Sequence, residues 1–382
     1  MKRTSSHRVP GISRGVFWAL TQENQGSGIS RLRLAGRTLY ASVVHARAMQ
    51  RWMSVACELE SRGIVSNLPA EYLRAVRPYV HRGTDINARV VQLIDHVDWV
   101  ETAFKPAAFE QIMSGRPLVL ADLPAPRGYE YMRLQLQRSA PQSPEGELLL
   151  TLTLLRAAEV QHRPQPVDAA ALGFSRFRVD GLGCLVIGGV RGQRHPVLRL
   201  SPVEINQALS GWKPAVLMVR VAQELARTWG LHLVGLDPAS HRLQGWTYQL
   251  NSRYRDAALR IFNSYDALWE HFEAKKGPPG WMIVPQNSDE KLEATALSPE
   301  KRARQTRRAD YWIRIRNLLR LQFRELLQRP GREARLNRNT ESLAPDTLAP
   351  DTLAPEGEDF DFADSQPVGG ARVLETGPAT LL

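Results

Sequence analysis

Three side chains that could move a proton lie next to the ends of predicted strands or helices. Asp237 and His241 come after an apolar strand at 231–236, and Tyr265 precedes a later helix. Ligand groups in α/β folds lie beyond the carboxyl ends of strands, and an imidazole or phenol can act as general base or acid. These are the candidate catalytic residues. Structural roles compete: the aspartate–proline step makes a turn, His241 can hydrogen-bond within it, and Asp266 can cap a helix over buried aromatics.

A candidate phosphate site precedes the predicted helix at 214–229. Gly211, Trp212 and Lys213 lead into that helix, whose free N–H groups and dipole attract anions. Arg191, at the end of the preceding strand, could add a second positive charge. The proline at the first helical position removes one donor. In the alternative interpretation the glycine and the proline only join two packed helices.

The segment 301–338 is strongly basic, with thirteen cations against three acids, and apolar residues are interleaved with its arginines. Three interpretations stay open: a helix that packs its apolar face and solvates its charges, a helix on an anionic membrane surface, or a nucleic-acid contact by phosphate neutralisation. The chain lacks a helix-turn-helix or zinc-finger pattern that would favour sequence-specific DNA reading. The candidate basic surface consists of Arg302, Arg304, Arg307, Arg308, Arg314 and Arg316.

Hydrophobic periodicity changes along the chain and predicts its organisation. A loose N-terminus (1–29) precedes a helical region (30–115) with apolar residues at a 3.6-residue period. Alternating patterns and Pro/Gly breaks then predict a mixed-sheet α+β domain (116–298). A basic helix (299–338) and an acidic tail (339–382) follow. The prediction is an α+β fold, with the helical region packed on a mixed, mostly antiparallel sheet.

The positions of these candidate residues depend on the predicted helices and strands. Helices are expected at 30–63, 69–77, 84–102, 106–114, 201–209, 214–229, 266–273 and 299–327. Strands are expected at 118–121, 129–137, 147–156, 175–179, 185–190 and 231–236. The order strand, loop, helix and strand at 185–236 resembles the acetyl-CoA-dependent N-acyltransferase superfamily. The glycine-containing loop usual in that superfamily is not fully matched in this sequence. That resemblance implies coenzyme A, with the pyrophosphate at the loop opening the helix.

The sequence of the tail predicts disorder. The motif Leu-Ala-Pro-Asp-Thr occurs twice in tandem, so its prolines interrupt any helix, and the tail contains few bulky apolar residues. Its nine acids and single arginine serve either as a plain spacer or as a mask over the basic segment. The composition excludes other classes. Two cysteines make no disulfide scaffold, the histidines and cysteines show no metal spacing, and neither a secretory signal nor a membrane span is evident. A cytoplasmic location, peripheral to the inner membrane at most, is expected.

The order of short motifs resembles the bacterial VirK/YbjX family over roughly 35–320. The motifs are Arg77-Pro78-Tyr79, Asp95-His96, Glu145-Gly146-Glu147-Leu148, Gly188-Gly189-Val190-Arg191-Gly192, Ala208-Leu209-Ser210-Gly211-Trp212-Lys213-Pro214, Ser240-His241, Tyr265-Asp266-Ala267-Leu268-Trp269 and Pro299-Glu300-Lys301-Arg302-Ala303. Both ends and the stretch 243–260 depart from the family pattern. The resemblance implies a Gram-negative virulence-associated protein, linked to antimicrobial-peptide resistance and to display of surface virulence proteins.

The leading functional hypothesis is therefore a VirK/YbjX-like role at the cytoplasmic side of the envelope, with an anionic membrane surface or an envelope protein as partner. The family pattern identifies no catalytic residues, so whether the chain is an enzyme stays open at this point. The main alternative is an acyl-CoA-dependent acyltransferase. A nucleic-acid-binding regulator that uses 301–338 is the third.

Overall fold

The computed structural model describes residues 12–21, 28–77, 79, 81–124, 129–156, 166–192, 202–245, 259, 264–286 and 298–328. These residues belong to one compact unit. The predictions for 1–11, for part of the divergent stretch 243–260 and for the acidic tail lie outside the described residues.

Helices and strands occur in the order that the periodicity indicates. Helices α1 to α10 are Ile12–Thr21, Gly28–Val44, Ala46–Ser61, Leu68–Val76, Ile86–Ala103, Pro106–Met113, Pro202–Ala208, Pro214–Trp229, 264–271 and Pro299–Leu326. Strands β1 to β8 are Leu118–Pro124, Tyr129–Arg138, Leu148–Arg156, Pro166–Val179, Leu182–Gly192, His232–Leu236, Lys275–Lys276 and Trp281–Ile283.

All eight strands form one sheet, in the order β1-β2-β3-β4-β5-β6-β8-β7. The strand pairs are antiparallel, except that β5 and β6 run parallel from Cys184 opposite His232 to Ile187 opposite Gly235. Helices α7 and α8 lie in the crossover between those two strands. The α+β class and the mixed, mostly antiparallel sheet are thus confirmed.

Both faces of the β5·β6 pair are buried, because side chains alternate across a strand. Leu185, Ile187 and Leu233 join the main core, in which α8 packs on β4 and β5. The opposite face forms a second cluster from Tyr79, Phe177, Val179, Cys184, Val186, Val234, Leu236 and Trp281. The parallel pair is therefore held on both faces.

Local signals set the helix ends. Asn67 accepts a hydrogen bond from Ala70 N at 3.0 Å at the start of α4, and Asp85 accepts one from Ala88 N at 2.7 Å at the start of α5. Gly230 ends α8 in a left-handed conformation with φ of 65°. These contacts satisfy terminal backbone groups that the helix itself leaves unpaired.

The structure differs from the prediction in several elements, among them strands β7 and β8, which were not predicted. The helix expected at 30–63 is two helices, α2 and α3, which separate at His45. Residues 12–21, assigned to the loose N-terminus, form α1, where Trp18 contacts the Tyr72 ring edge-on at 5.6 Å. Strand β4 begins at Pro166 rather than near 175. Tertiary packing accounts for α1 and β4, because α1 lies on Tyr72 and β4 pairs with strands on both sides.

The basic helix α10 packs its apolar face inward. Ile315, Leu319 and Phe323 are four residues apart and buried, and the helix contacts β1 and α8. This is the arrangement that the packed-helix interpretation predicts, so this face is not available for insertion into a membrane. Among the described residues, no helix has both the length and the apolar character needed to cross a bilayer.

Candidate functional site

The parallel strands β5 and β6 separate beyond the pair Ile187–Gly235. Strand β5 continues to Gly192, still paired with β4 on its other side. The N–H of Val190 donates to the Tyr265 hydroxyl at 2.9 Å. The Tyr265 hydroxyl therefore lies at the edge where β5 leaves β6.

Tyr265 is held in place by the indole one turn further along α9. The rings of Tyr265 and Trp269 stack with centroids 5.9 Å apart and an interplanar angle of 10°. Trp269 Nε1 donates to Leu236 O at 2.9 Å. A Cβ at Gly235 would lie 2.3 Å from the Trp269 ring, so strand β6 needs glycine there. The phenol is thus positioned by β6 as well as by β5.

The surroundings of Tyr265 keep its phenol protonated at neutral pH. Burial raises the pKa of this hydroxyl, and the Glu145 carboxylate raises it further; the hydrogen bond from Val190 N and the charge of Arg191 oppose the shift without reversing it. Because the oxygen already accepts the Val190 N–H, the hydroxyl proton remains to be donated elsewhere. This geometry suits a general acid.

Glu145 lies across two glycines that face each other in the sheet. Gly173 of β4 is paired with Gly189 of β5. A Cβ at Gly189 would lie 2.6 Å from Glu145 Cδ, and one at Gly173 would lie 2.9 Å from Glu145 O. The glycine pair therefore forms a shallow depression that admits the glutamate and its backbone.

Arg191 forms an ion pair with Glu145, with Nε 2.5 Å from Oε2. The side chains are 16% and 20% exposed, respectively, whereas the two contacting atoms, Arg191 Nε and Glu145 Oε2, are themselves buried. The predicted phosphate ligand Arg191 thus directs its charge at Glu145. A carboxylate with one cationic partner and some exposure can accept a proton, which suits a general base.

Sequence reasoning missed Glu145 as a site residue, although it opens one of the motifs of the family resemblance. Its position depends on Gly146, whose φ of +152° only glycine adopts readily. A Cβ at Gly146 would lie 2.4 Å from Phe174 N, so the chain passes very close to β4. An acid–glycine–acid motif before a strand was the available signal.

The second acid of that motif, Glu147, lies in a sealed ionic cluster. Arg74 Nη1 is 2.7 Å from Glu147 Oε2, and Arg89 Nη2 bonds to Oε1. Glu147 N donates to Ser175 Oγ at 3.0 Å, and that hydroxyl is 2.7 Å from Tyr79 Oη. The two arginines hold the pKa of Glu147 well below its usual range, against the effect of burial.

The same cluster extends to the helical region and β2. Glu71 bonds to Arg74 at 3.1 Å and to Arg138 at 2.7 Å. His96 is buried next to it, and its Nδ1 accepts Arg176 N at 3.0 Å. Burial lowers the pKa of His96 to about 3, so its imidazole is neutral. These paired charges join α4 and α5 to the sheet.

Asp237 and His241 form a separate turn beyond β6. Asp237 Oδ1 accepts Ala239 N at 3.0 Å, and His241 Nδ1 accepts Leu243 N at 3.2 Å. Burial lowers the pKa of His241 to about 4, and its backbone forms a bridge with that of His81. Both side chains therefore make the local turn contacts that the structural alternative describes.

The predicted phosphate residues before α8 have different surroundings in the structure. Trp212 is buried, and its Nε1 donates to Arg308 O at 3.2 Å, so the indole N–H serves packing. Lys213 is exposed at the N-cap of α8 and makes no side-chain cap bond. Gly211, with φ of +91°, contacts α10 rather than Arg191.

The basic surface lies mainly on the first half of α10. Arg302, Arg304, Arg307 and Arg314 are exposed, whereas Arg308 and Arg316 are half-buried. Arg308 Nε donates to Gly211 O at 2.9 Å. Within the described ranges, no group of three or more histidine, cysteine, aspartate or glutamate side chains is arranged to hold a metal ion.

The end of β5 has features that fit a thioester arm. Beyond Ile187 the strand is no longer paired with β6, and a Cβ at Gly192 would meet no atom within 4 Å. The end of β5 therefore brings a backbone edge, a phenol and a carboxylate close together. Coenzyme A, when bound there, would supply an acyl group activated as a thioester.

Fold and site together define an α+β protein in which, among the described strands, one pair is parallel and separates next to the half-buried Tyr265. The chain belongs to the family described as "Protein of unknown function (DUF535)", whose model matches residues 29–316. This family contains the VirK/YbjX proteins, as the motif order indicated. No curated protein and no solved structure matches the chain.

Proposed function

We propose that the chain is an acyltransferase that uses a coenzyme A thioester and an amine acceptor. The main observation behind this proposal is a hydrogen bond: the Tyr265 hydroxyl accepts the N–H of Val190 where β5 leaves β6. The single parallel pair, followed by a helix that carries this tyrosine, is the part of the fold that supports a resemblance to N-acyltransferases.

The roles of the chain's own residues follow from their surroundings. Glu145 accepts a proton from the attacking amine, and the ion pair with Arg191 orients that carboxylate. Tyr265 donates its proton to the sulfur that leaves when the new amide bond forms. The raised pKa makes this phenol a weak acid, so its proton moves only as negative charge develops on the sulfur, and the proton that Glu145 has taken from the amine then restores the phenol.

The test is the release of free thiol from acetyl-CoA and from longer acyl-CoA thioesters in the presence of a panel of amines. Tyr265→Phe should lower kcat about a hundredfold, the lower range for loss of a general acid. Tyr40→Phe, on an exposed residue of α2, is the matched control and should leave kcat unchanged. No thiol release with any donor, or full activity in Tyr265→Phe, would overturn the proposal.

A binding measurement separates a missing acceptor from a missing donor site. Coenzyme A at about a hundred times its Kd should stabilise the folded chain by about 2.7 kcal/mol, which appears as a higher Tm. Lys213→Glu should reduce this shift if Lys213 carries phosphate charge. A Tm that coenzyme A leaves unchanged would remove coenzyme A as the donor.

A second candidate is the envelope role that the family resemblance implies, at the cytoplasmic side of the membrane. The observation that favours it is the exposed first part of α10, where residues 301–308 hold five cations and no acid. A deletion strain should lose resistance to cationic antimicrobial peptides or display of a surface virulence protein. Unchanged survival and display would contradict this role, and tight nucleic-acid binding that weakens steeply with salt would favour the regulator instead.

A further inference from the structure

A groove of about 480 Å³ lies between α7, the loop that follows it, and α10. This volume falls within the range of small-molecule sites. Its lining combines polar and apolar surface and consists of Val203, Asn206, Gln207, Ser210, Gly211, Arg304 and Arg307.

Backbone conformation brings the loop close to α10. Ser210 and Gly211 both have positive φ, 53° and 91°. A Cβ at Gly211 would lie 3.2 Å from Arg304 Nε and 3.3 Å from Arg308 Nε. Glycine at this position therefore lets two guanidinium groups approach the backbone.

Arg308 fixes the relative position of the loop and α10. Its Nε donates to Gly211 O at 2.9 Å, and its Nη2 bonds to the same oxygen. In return, Trp212 Nε1 donates to Arg308 O at 3.2 Å. Because the two elements hold each other, the groove between them has a defined shape before any ligand binds.

Arg304 and Arg307 give the groove a positive charge. Both side chains are exposed, and within the described residues neither forms an ion pair with a carboxylate. Glu204, the one acid of α7, is not among the lining residues. Two guanidinium groups next to amide and hydroxyl side chains match a phosphate better than a single carboxylate, because each guanidinium can donate two parallel hydrogen bonds.

We infer that this groove binds a phosphate group through Arg304 and Arg307, with Asn206, Gln207 and Ser210 as further hydrogen-bonding groups. The phosphate belongs either to a soluble phosphate ester or diphosphate or to a lipid headgroup. The site is formed jointly by the candidate phosphate loop and the basic helix. It does not depend on acyl transfer at Tyr265.

The test uses the full chain with two probes, inorganic pyrophosphate by calorimetry and phosphatidylcholine vesicles with and without phosphatidylglycerol by co-sedimentation. The groove variant is Arg304→Gln with Arg307→Gln. The matched control is Arg314→Gln with Arg324→Gln, which removes the same charge from exposed positions on the same helix. Circular dichroism and Tm establish that both double variants fold.

The groove variant should weaken binding of at least one probe about tenfold or more, whereas the control should change it less than about twofold. Pyrophosphate binding identifies a soluble source, and binding only to vesicles with phosphatidylglycerol identifies a lipid source. Equal losses in both variants, or binding of neither probe, would overturn the inference. Tyr265→Phe should bind both probes as the unmodified chain does. The binding result therefore tests the groove independently of whether the chain transfers acyl groups.

Discussion

Two glutamates separated by one glycine have opposite surroundings. Glu147 is 3% exposed and bonds to two arginines and, through its backbone, to Ser175. Glu145 is 20% exposed, and among the described residues its ion pair is with Arg191. A carboxylate whose two oxygens are both paired with buried arginines supports the fold. It is not available to exchange a proton. A carboxylate with one partner and access to solvent retains the capacity to exchange a proton.

The difference arises from Gly146. Its positive φ turns the chain between the two acids, so that one points into the arginine cluster and the other lies over the glycine pair of β4 and β5. In an extended strand, residues two apart would share a face. The turn therefore gives neighbouring residues of one type two roles, and the predictions below test that division.

The largest effect is expected from Glu147→Gln. It removes the carboxylate that pairs with buried Arg89 and leaves Arg74 with Glu71, which costs about 3–5 kcal/mol of unfolding free energy. Urea denaturation measures the loss. Glu145→Gln is the matched control and should cost about 1 kcal/mol or less. Equal losses would remove the distinction between the two sites.

Acid should destabilise the chain through its buried histidines. The pKa of His96 is about 3 and that of His241 about 4, both below the ordinary value of 6.5. As pH falls below 6.5, the unfolded chain binds protons that the folded chain does not, so stability decreases. Between pH 6 and pH 4 each histidine should cost up to about 3 kcal/mol, at about 1.4 kcal/mol per unit.

Urea midpoints measured over that pH range give the slope. In His96→Gln the slope should be shallower, because one of the two groups no longer titrates. A slope that this substitution leaves unaltered would mean that His96 is accessible to protons in the folded state. At still lower pH, protonation of Glu147 removes its ion pairs as well, since its pKa is depressed in the folded state.

Gly189→Ala tests the depression under Glu145. The added Cβ would lie 2.6 Å from Glu145 Cδ, near the end of a flexible side chain, so that side chain must move away, at a cost of about 1–1.5 kcal/mol in stability. The control is Gly192→Ala, where a Cβ meets no atom within 4 Å and the change should stay within about 0.5 kcal/mol. Identical Tm values for the two variants would contradict the close contact.

The smallest effect is expected from Tyr79→Phe. It removes the hydroxyl that is 2.7 Å from Ser175 Oγ but keeps the ring, over which Arg89 lies at 3.9 Å. Loss of one hydrogen bond should cost about 1 kcal/mol. Chemical denaturation of Tyr79→Phe and of Glu147→Gln under the same conditions ranks the hydroxyl contact against the ion pairs. A larger loss in Tyr79→Phe would make the hydroxyl, rather than the ions, the main support of the cluster.

Local patterns predicted the elements well where the local signal is strong. The helix at 214–229 was expected within the bounds observed, because a proline opens it and a glycine follows its last residue. The first part of β4, which includes Ala169, Ala170 and Gly173, was missed, since small residues carry little strand preference. That segment is a strand because β3 and β5 pair with it on either side.

The candidate site was predicted only in part. Tyr265 was selected from its place before a helix, and its contact with Val190 came from the structure. Glu145 was not selected, because its position depends on Gly173 and Gly189, which are far from it in sequence. Asp237 and His241 were selected by the rule for strand ends, and their side chains bond within their own turn.

The sequence by itself determined the fold class, the charge of the basic helix and the family, because periodicity, composition and motif order are local or additive properties. Tertiary structure decided which charges meet. It sealed Glu147 among arginines, laid Glu145 over two glycines, and brought Gly211 to Arg304 and Arg308. The physical reason is that burial and pairing depend on contacts between distant segments, and these set the pKa and the exposure of each group.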